Sequence, residues 1–411
     1  RSAALATVDP TGVLPEDPRH EQFWQRSPRG KDGFSMIDGH GRTIDYVRLS
    51  VTDRCNLRCT YCMAEDMVFL PRRDLLDFEE IELLARHLVR RGVRRIRLTG
   101  GEPLVRKGVL DLVARLGCLL GDGLEELTLT TNGTLLAEMS GQLHAAGVRR
   151  INVSLDTLDR QRFAQLTRRD ELGRVLQGID AARDAGIAIR INAVAIRGVN
   201  DDELPDLLAW CADRGMDLGL IEGMPLGDVA LDRQAAHLPL SEVRTQLEKR
   251  FTLVPSLHRT AGPARYYDVA DTGTRVGFIT PLSDNFCSAC NRIRIAATGT
   301  VFGCLGHDQK VELRDIIRAG GETELDAALE PLLPALLALP PTAARHAALV
   351  VGHACAALGA RLALAGGADP LGAARLSDAL KRWLELLLRA AAALPAADAS
   401  VALDGWVSVQ E

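Results

Sequence analysis

The sequence predicts an α/β fold, an incomplete (β/α)6 TIM-type barrel of parallel strands, followed by a C-terminal region with its own cysteine group. Three observations carry the prediction. Six apolar or β-branched runs of strand length recur over residues 46–222, with segments of helical spacing between them. Such alternation builds a parallel sheet through right-handed crossovers. A glycine stands where each of four helices must stop, and the polar motifs follow the strand ends, where the chemistry of barrels collects.

Residues 1–43 are polar and dotted with proline and glycine, and read as a flexible leader. The first strand is expected at Tyr46–Val51, followed by the Cys55–Cys62 loop. A helix over Phe78–Arg91, stopped by Gly92, leads to a strand at Arg95–Thr99 and the motif Gly100–Pro103. The helix Leu104–Leu116 precedes the strand Glu126–Thr130, which ends in Thr130–Gly133. The helix Leu135–Ala146 and Gly147 lead to a strand at Arg149–Leu155, with Ser154–Asp156 at its close. The helix Leu172–Ala185, Gly186, the strand Ile187–Ile196, the helix Asp202–Arg214, Gly215 and the strand Asp217–Glu222 complete the series, with Glu222–Pro225 at the last strand end. The barrel thus occupies residues 44–227. Beyond Gly227 the pattern loosens and recovers around 287–304, defining a cysteine-bearing region over 228–320. Residues 321–411 are rich in Ala and Leu; Leu376, Leu380, Trp383, Leu384 and Leu387 have amphipathic spacing, which predicts a helical packing tail.

At 411 residues the chain has length for two or three units at roughly 150 residues each. Its 47% hydrophobic and 25% charged content excludes a disordered, collagen-like or disulfide-stapled class. A net charge of −5 and 4% aromatic residues argue against a general nucleic-acid binder. No apolar signal core follows Arg1, and the uncharged run His346–Ala360 is shorter than the ~18 residues a membrane span needs. The expectation is a soluble cytoplasmic chain whose thiols are reduced and available to metal.

Six of the nine cysteines fall into two groups. Cys55, Cys59 and Cys62 form C-x3-C-x2-C on a loop. Three thiolates hold three irons of a [4Fe–4S] cube and leave the fourth iron open to a small molecule. A structural zinc site is the alternative, but it wants four protein ligands and no fourth stands nearby. Cys287, Cys290 and Cys304 form C-x2-C-x13-C, which by spacing alone fits a second open cluster, an electron relay or a zinc ribbon. Arg292 and Arg294 alternate about Ile293 and would share one face of a short strand, ready for phosphate. Cys118, Cys211 and Cys355 are expected as buried thiols, and His346 and His353 as packing residues. His307 lies near Cys304 and carries no further signal.

With Tyr61 as the aromatic of C-x3-C-x-aromatic-C, and with Gly100-Gly101-Glu102-Pro103 after the next strand, the chain resembles the radical S-adenosylmethionine superfamily. Tyr46–Cys62, Arg97–Pro103, Thr130–Gly133, Ile151–Asp156, Glu222–Pro225 and Phe286–Arg294 together resemble the GTP 3′,8-cyclase family of molybdenum-cofactor biosynthesis, over residues 38–318. The resemblance implies that the first cluster chelates S-adenosylmethionine, contacted by Tyr61, Gly101, Ser154 and Met224. Glycines at 100 and 101 would let backbone approach its methionine moiety. It implies that the second cluster binds the guanine of GTP, with Arg48, Arg97, Thr130, Arg190, Arg292, Ile293 and Arg294 around the nucleotide, and Arg292 and Arg294 also assisting the reaction. Arg190 stands where the family usually carries lysine, a change that keeps an anion binder.

The implied reaction cleaves S-adenosylmethionine reductively and removes the 3′ hydrogen of GTP. C3′ then closes onto C8, and one electron and one proton complete 3′,8-cyclo-7,8-dihydro-GTP. An electron donor, a homodimer and cyclic pyranopterin monophosphate synthase as the downstream enzyme are implied with it. A nucleoside triphosphate carries about four negative charges, so an acidic protein needs a focused basic site to hold it. One departure stands out. The family ends in a Gly-Gly that reaches the active site, whereas this sequence ends in Val409-Gln410-Glu411 and its Gly-Gly pairs at 320 and 366 are internal. A replaced tail or impaired catalysis is the expectation. Two rivals remain at this point. A peptide-modifying radical enzyme usually carries seven or more cysteines downstream, against Cys287, Cys290, Cys304 and Cys355 here; a noncatalytic iron–sulfur protein would not cleave S-adenosylmethionine at all.

Overall fold

Alternation within the strands decides which way the sheet faces. β1 (Tyr46–Ser50), β2 (Arg95–Thr99), β3 (Glu126–Thr131), β4 (Arg150–Ser154), β5 (Ala188–Ala195) and β6 (Asp217–Glu222) pair in parallel in chain order. On one parity the side chains are aliphatic and buried: Val47 and Leu49, Ile96 and Leu98, Leu127 and Leu129, Ile151 and Val153, Ile191 and Ala193, Leu218 and Leu220. These residues share one core with α1 (Phe78–Arg90), α2 (Val109–Gly117), α3 (Leu136–Ala145), α4 (Arg160–Thr167), α5 (Leu172–Asp184) and α6 (Leu204–Asp213). The computed structural model describes residues 36, 42–224, 235–260, 262–283, 290–303 and 310–319. The expected leader apart from residues 36, 42 and 43, the tail, the C-terminal residues, Cys287, Cys304, Cys355, His307, His346 and His353 lie outside the described residues.

Helix ends follow local chemistry. Asp77 caps α1 by accepting from Glu80 N at 2.8 Å, and Glu80 returns the bond to Asp77 N at 2.7 Å. Gly92, Gly147, Gly186 and Gly215 all adopt positive φ, between 63° and 98°, at the four expected helix stops. Two helices differ from expectation. The span Leu104–Leu116 divides: Pro103–Val105 is a short 3-10 turn, Gly108 turns left-handed at φ 81°, and α2 begins only at Val109. The helix α4 had no clear signal, because RQRFAQLT buries only Phe163, Leu166 and Thr167. Cys211 is buried as expected, but Cys118 is exposed at the end of α2, with its thiol donating to the Ala114 carbonyl at 3.4 Å.

The region past residue 227 does not stand apart as the sequence suggests. Its described strands extend the sheet at both edges. β10 (Arg292–Ile295) pairs parallel to β1, and β9 (Arg275–Ile279) pairs parallel to β6. Two antiparallel flanks follow: β11 (Thr300–Phe302) and β12 (Lys310–Glu312) beyond β10, then β8 (Arg265–Val269) and β7 (Leu253–Pro255) beyond β9. α7 (Leu240–Glu248) packs on α6 and β6. The result is one 12-stranded sheet with eight parallel strands at its centre. The three-residue strands β7, β11 and β12 carry too few periods to announce themselves. Among the described residues no helix is long and apolar enough to cross a membrane.

One glycine sets a packing distance. A Cβ on Gly178 of α5 would lie 2.4 Å from the Gly133 carbonyl oxygen and 3.0 Å from Leu136 Cβ. Gly178→Ala should therefore push α5 off the start of α3 and lower stability by about 1–3 kcal/mol. A lower urea midpoint at unchanged slope is the expected reading; an unchanged midpoint would refute it.

Candidate active site on the inner face of the sheet

The second parity of the same strands is polar. It presents Tyr46 and Arg48, Arg95 and Arg97, Thr128 and Thr130, Arg150 and Asn152, Arg190 and Asn192, and Arg292 and Arg294. Closed barrels fill this face with branched aliphatic side chains; this one does not. Parallel register sets Arg294, Arg48 and Arg97 side by side, and likewise Thr130 beside Asn152 and Asn152 beside Arg190. At the strand starts charges are answered: Arg95 meets Asp45 at 2.7 Å, Arg150 meets Glu126 at 2.6 Å, and Arg275 meets Asp217 at 3.1 Å. One layer further along, orphans appear. Nε of Arg48, Nε of Arg97, Nε and Nη2 of Arg190, Oγ1 of Thr130, and Oδ1 of Asn152 and Asn192 are buried without a hydrogen-bond partner among the described residues.

Each such atom costs about 1–3 kcal/mol. Their collection on one face, cationic donors beside acceptors, marks it as the candidate site. The cations feel the same deficit. Burial pulls Arg48 down to about 10, with repulsion from Arg292 and Arg97 adding to it. Arg97 and Arg190 are also lowered, chiefly by burial.

The cysteine loop hangs at the strand ends, fixed from four directions. Arg58 N and Thr60 N donate to the Thr167 and Leu166 carbonyls at the end of α4, both at 2.9 Å. The Tyr61 hydroxyl donates to Asp156 Oδ2 at 2.6 Å, and Asp156 Oδ1 accepts from Val194 N at 2.8 Å. Asn56 donates to Thr134 Oγ1 at 2.9 Å and accepts from Asn132 Nδ2 at 2.8 Å. A Cβ on Gly100 would lie 2.6 Å from the Thr52 carbonyl oxygen, and one on Gly101 would lie 2.4 Å from that of Arg54. These glycines admit the cysteine loop's own backbone: Gly101 N and Glu102 N each donate to it at 2.8 Å. Glu102, 1% exposed, accepts from Leu104 N, Thr131 Oγ1 and Asn132 N, at 3.0, 2.8 and 2.6 Å. Sequence reasoning did not single out Glu102, Asp156 or Asn132. Their signal was present, since each sits inside a quoted strand-end motif.

Cys55 and Cys59 are half-buried and Cys62 is exposed, all as free thiols. Burial pushes all three thiols up, and Cys55 and Cys62 push Cys59 further. Such thiolates need a metal's charge to persist. Among the described residues no three His, Cys, Asp or Glu side chains converge on one ion. A cube takes each thiolate on a different iron and needs no such convergence, so the three thiols fit a cluster. Of the second group only Cys290 is described; it is half-buried, with Sγ 4.0 Å from the Arg292 carbonyl oxygen. Fully buried Glu222 accepts from Leu282 N and Ser283 N at 2.9 and 3.0 Å, and so ties the chain ahead of that group to β6.

Of the expected contact residues, Ser154 and Met224 are half-buried at the ends of β4 and β6, and Tyr61 and Gly101 belong to the loop and its support. Arg48, Arg97, Thr130, Arg190, Arg292 and Arg294 share the inner face. Ile293 does not: it is 0% exposed in the aliphatic core on the opposite face, which leaves only its backbone to meet a ligand.

Residues 49–211 match the Radical SAM superfamily, and residues 216–335 match the family described as Molybdenum Cofactor Synthesis C. The chain is 53% identical over 315 residues to a GTP 3′,8-cyclase of Rhizobium etli (strain CIAT 652), spanning 77% of this chain and 90% of that protein. It is 56% identical over 296 residues to a GTP 3′,8-cyclase of Erythrobacter litoralis (strain HTCC2594), spanning 72% and 89%. Among solved structures, Streptococcus suis SuiB superposes with a TM-score of 0.52 at 15% identity, over 74% of this chain and 70% of that one. At that identity the likeness shows the fold alone.

Burial pushes the Glu102 carboxyl up to about 7, against the three hydrogen bonds it accepts. A folded value above the unfolded one means that this group's stabilisation is whole below about 4.5 and is lost as pH rises through about 7. Unfolding free energy should fall by on the order of 2 kcal/mol between pH 5 and 7.5 on its account, and Glu102→Gln should flatten that fall. Equal slopes in urea titrations of the two proteins would show that Glu102 does not titrate there. Asp156, pushed up to about 6 by burial, adds a similar fall at lower pH in both proteins.

Proposed function

The chain belongs to the GTP 3′,8-cyclase family of radical S-adenosylmethionine enzymes, and from that premise we propose that it converts GTP to 3′,8-cyclo-7,8-dihydro-GTP, the first step of molybdenum-cofactor biosynthesis. One observation carries the reading: a row of three arginines and a set of orphaned polar atoms line the face that begins at the three-cysteine loop.

Cys55, Cys59 and Cys62 would hold one [4Fe–4S] cluster, and Cys287, Cys290 and Cys304 a second. With S-adenosylmethionine bound, the first supplies one-electron chemistry able to remove a ribose hydrogen. Everything else falls to side chains. Tyr61, Gly101, Ser154 and Met224 would position S-adenosylmethionine at the strand ends. Arg48, Arg97 and Arg190 would take the charge of the triphosphate, where a low dielectric makes each cation count for more than at the surface. The orphaned Thr130 Oγ1 and Asn152 Oδ1 suit sugar and base hydrogen bonds. Arg292 and Arg294, on the strand that leaves Cys290, would face the purine and stabilise negative charge as it is reduced. The enclosing sheet keeps water from the reacting carbon. We place the reaction in the cytoplasm, with reduced thiols, a protein electron donor, a homodimeric enzyme and cyclic pyranopterin monophosphate synthase taking the product.

The test is anaerobic. Protein reconstituted with iron and sulfide, reduced with dithionite and given both substrates should release 5′-deoxyadenosine together with an isomer of GTP, equal in mass and separable by chromatography. Arg294→Ala should lower kcat/KM for GTP by about 100-fold, the cost of one charged contact in a buried site. Release of 5′-deoxyadenosine with GTP untouched would overturn the substrate; release of neither would overturn the enzyme.

A further inference from the structure

Two glycines stand side by side on the inner face. Gly219 of β6 is the register partner of Gly277 of β9. Neither has a positive φ, so backbone conformation does not demand glycine at either position; space does. A Cβ on Gly219 would lie 2.2 Å from Arg190 Nη2 and 2.7 Å from Arg190 Nε. A Cβ on Gly277 would lie 2.9 Å from Tyr266 Cε1 and 3.1 Å from Cδ1. The missing side chains leave a strip of bare backbone two strands wide. Arg190 enters it from β5 and Tyr266 from β8. They meet above it: Arg190 Nη1 donates to the Tyr266 hydroxyl, and the guanidinium carbon stands 5.2 Å from the ring centroid. Thr260 Oγ1 lies 3.4 Å from the same hydroxyl.

Arg190 is 5% exposed, yet its Nε and Nη2 have no partner among the described residues. Its third nitrogen is spent on Tyr266. The opposite edge, Nε with Nη2, lies against the bare backbone of Gly219, so the planar fork is held at both sides. We propose that Gly219 and Tyr266 are positioning residues, a seat that fixes the Arg190 guanidinium on the inner face so that its charge is held toward the phosphates of the substrate. The proposal rests on the reading that this face receives GTP. Gly219 makes room for the fork, and Tyr266 fixes its rotation.

The experiment is a double-variant cycle on the reconstituted holoenzyme, read by equilibrium binding of GTP and, separately, of inorganic tripolyphosphate. Gly219→Ala should weaken GTP by about tenfold or more, the cost of a misplaced charged hydrogen bond. In an Arg190→Lys background the same alanine should cost less than about twofold, because the slimmer ammonium stem does not need the strip. Equal costs in the two backgrounds would overturn the seat; they would assign the effect to Asn192, whose Oδ1 lies 2.7 Å from the same Cβ position. Wild-type GTP affinity in Gly219→Ala would overturn it as well. Tyr266→Phe leaves the packing intact and should raise KM for GTP several-fold while changing kcat less; unchanged binding there refutes the proposal even if Gly219→Ala fails to fold. Should wild type bind tripolyphosphate but not GTP, with the same non-additive pattern, the seat stands and the substrate reading falls. Binding of neither defeats both.

Discussion

The arrangement that everything else depends on is a row of like charges held in parallel register. Arg294, Arg48 and Arg97 are direct cross-strand neighbours, and like charges so placed repel. Nothing on the inner face would choose that arrangement. The outer face imposes it: Val47, Leu49, Ile96, Leu98, Ile293 and Ile295 are all at most 1% exposed in the core. A slip by one residue would exchange those aliphatics for arginines, and the helices forbid it. Hydrophobic packing on one side of the sheet thus holds three like charges together on the other, and on the proposed reading the bound nucleotide answers them.

The cysteine loop obeys a related constraint. Its backbone contacts come from α4 and from the Gly-Gly turn, and its side-chain contacts come from the ends of β3, β4 and β5. No local sequence rule fixes it. Two buried carboxylates act as its struts: Glu102 joins the turn after β2 to the turn after β3, and Asp156 joins Tyr61 to β5. Burial raises both toward neutrality, and the donors they accept hold them in place. The loop's shape is therefore a property of the assembled barrel.

What was legible in the sequence follows from signal length. The six barrel strands and four helix stops could be read because each repeats a period or ends on a glycine with a positive φ; the cysteine spacings could be read because the members of each group stand close together in the chain. β9 could not, being short and separated from the barrel by loops, and β10 was legible as a short strand but not its place beside β1; both complete the parallel order. α4 was hidden by polarity. The alternation that puts Arg292 and Arg294 on one face puts Ile293 on the other, so its expected part in the site falls to its backbone. Cys118 shows the reverse failure: an apolar context suggested burial, but the helix ends there and turns the thiol outward. The glycines at 100 and 101 were read as room beside S-adenosylmethionine; the contacts the structure shows there are to the backbone of Thr52 and Arg54.

The C-terminal strands also make one sheet of the described residues. β10 brings Arg292 and Arg294 to one edge of the six-stranded sheet, and β9 with β8 brings Gly277 and Tyr266 to the other. The groups on the inner face that would touch substrate thus come from both sides of the radical-generating barrel, through backbone register. Unlike a docked domain, strands in register cannot reorient without breaking ladder hydrogen bonds. On the proposed reading, the distance between the cysteine loop and the substrate's anionic end is set by strand pairing, and a substrate longer or shorter than a nucleoside triphosphate would lose one set of contacts to keep the other.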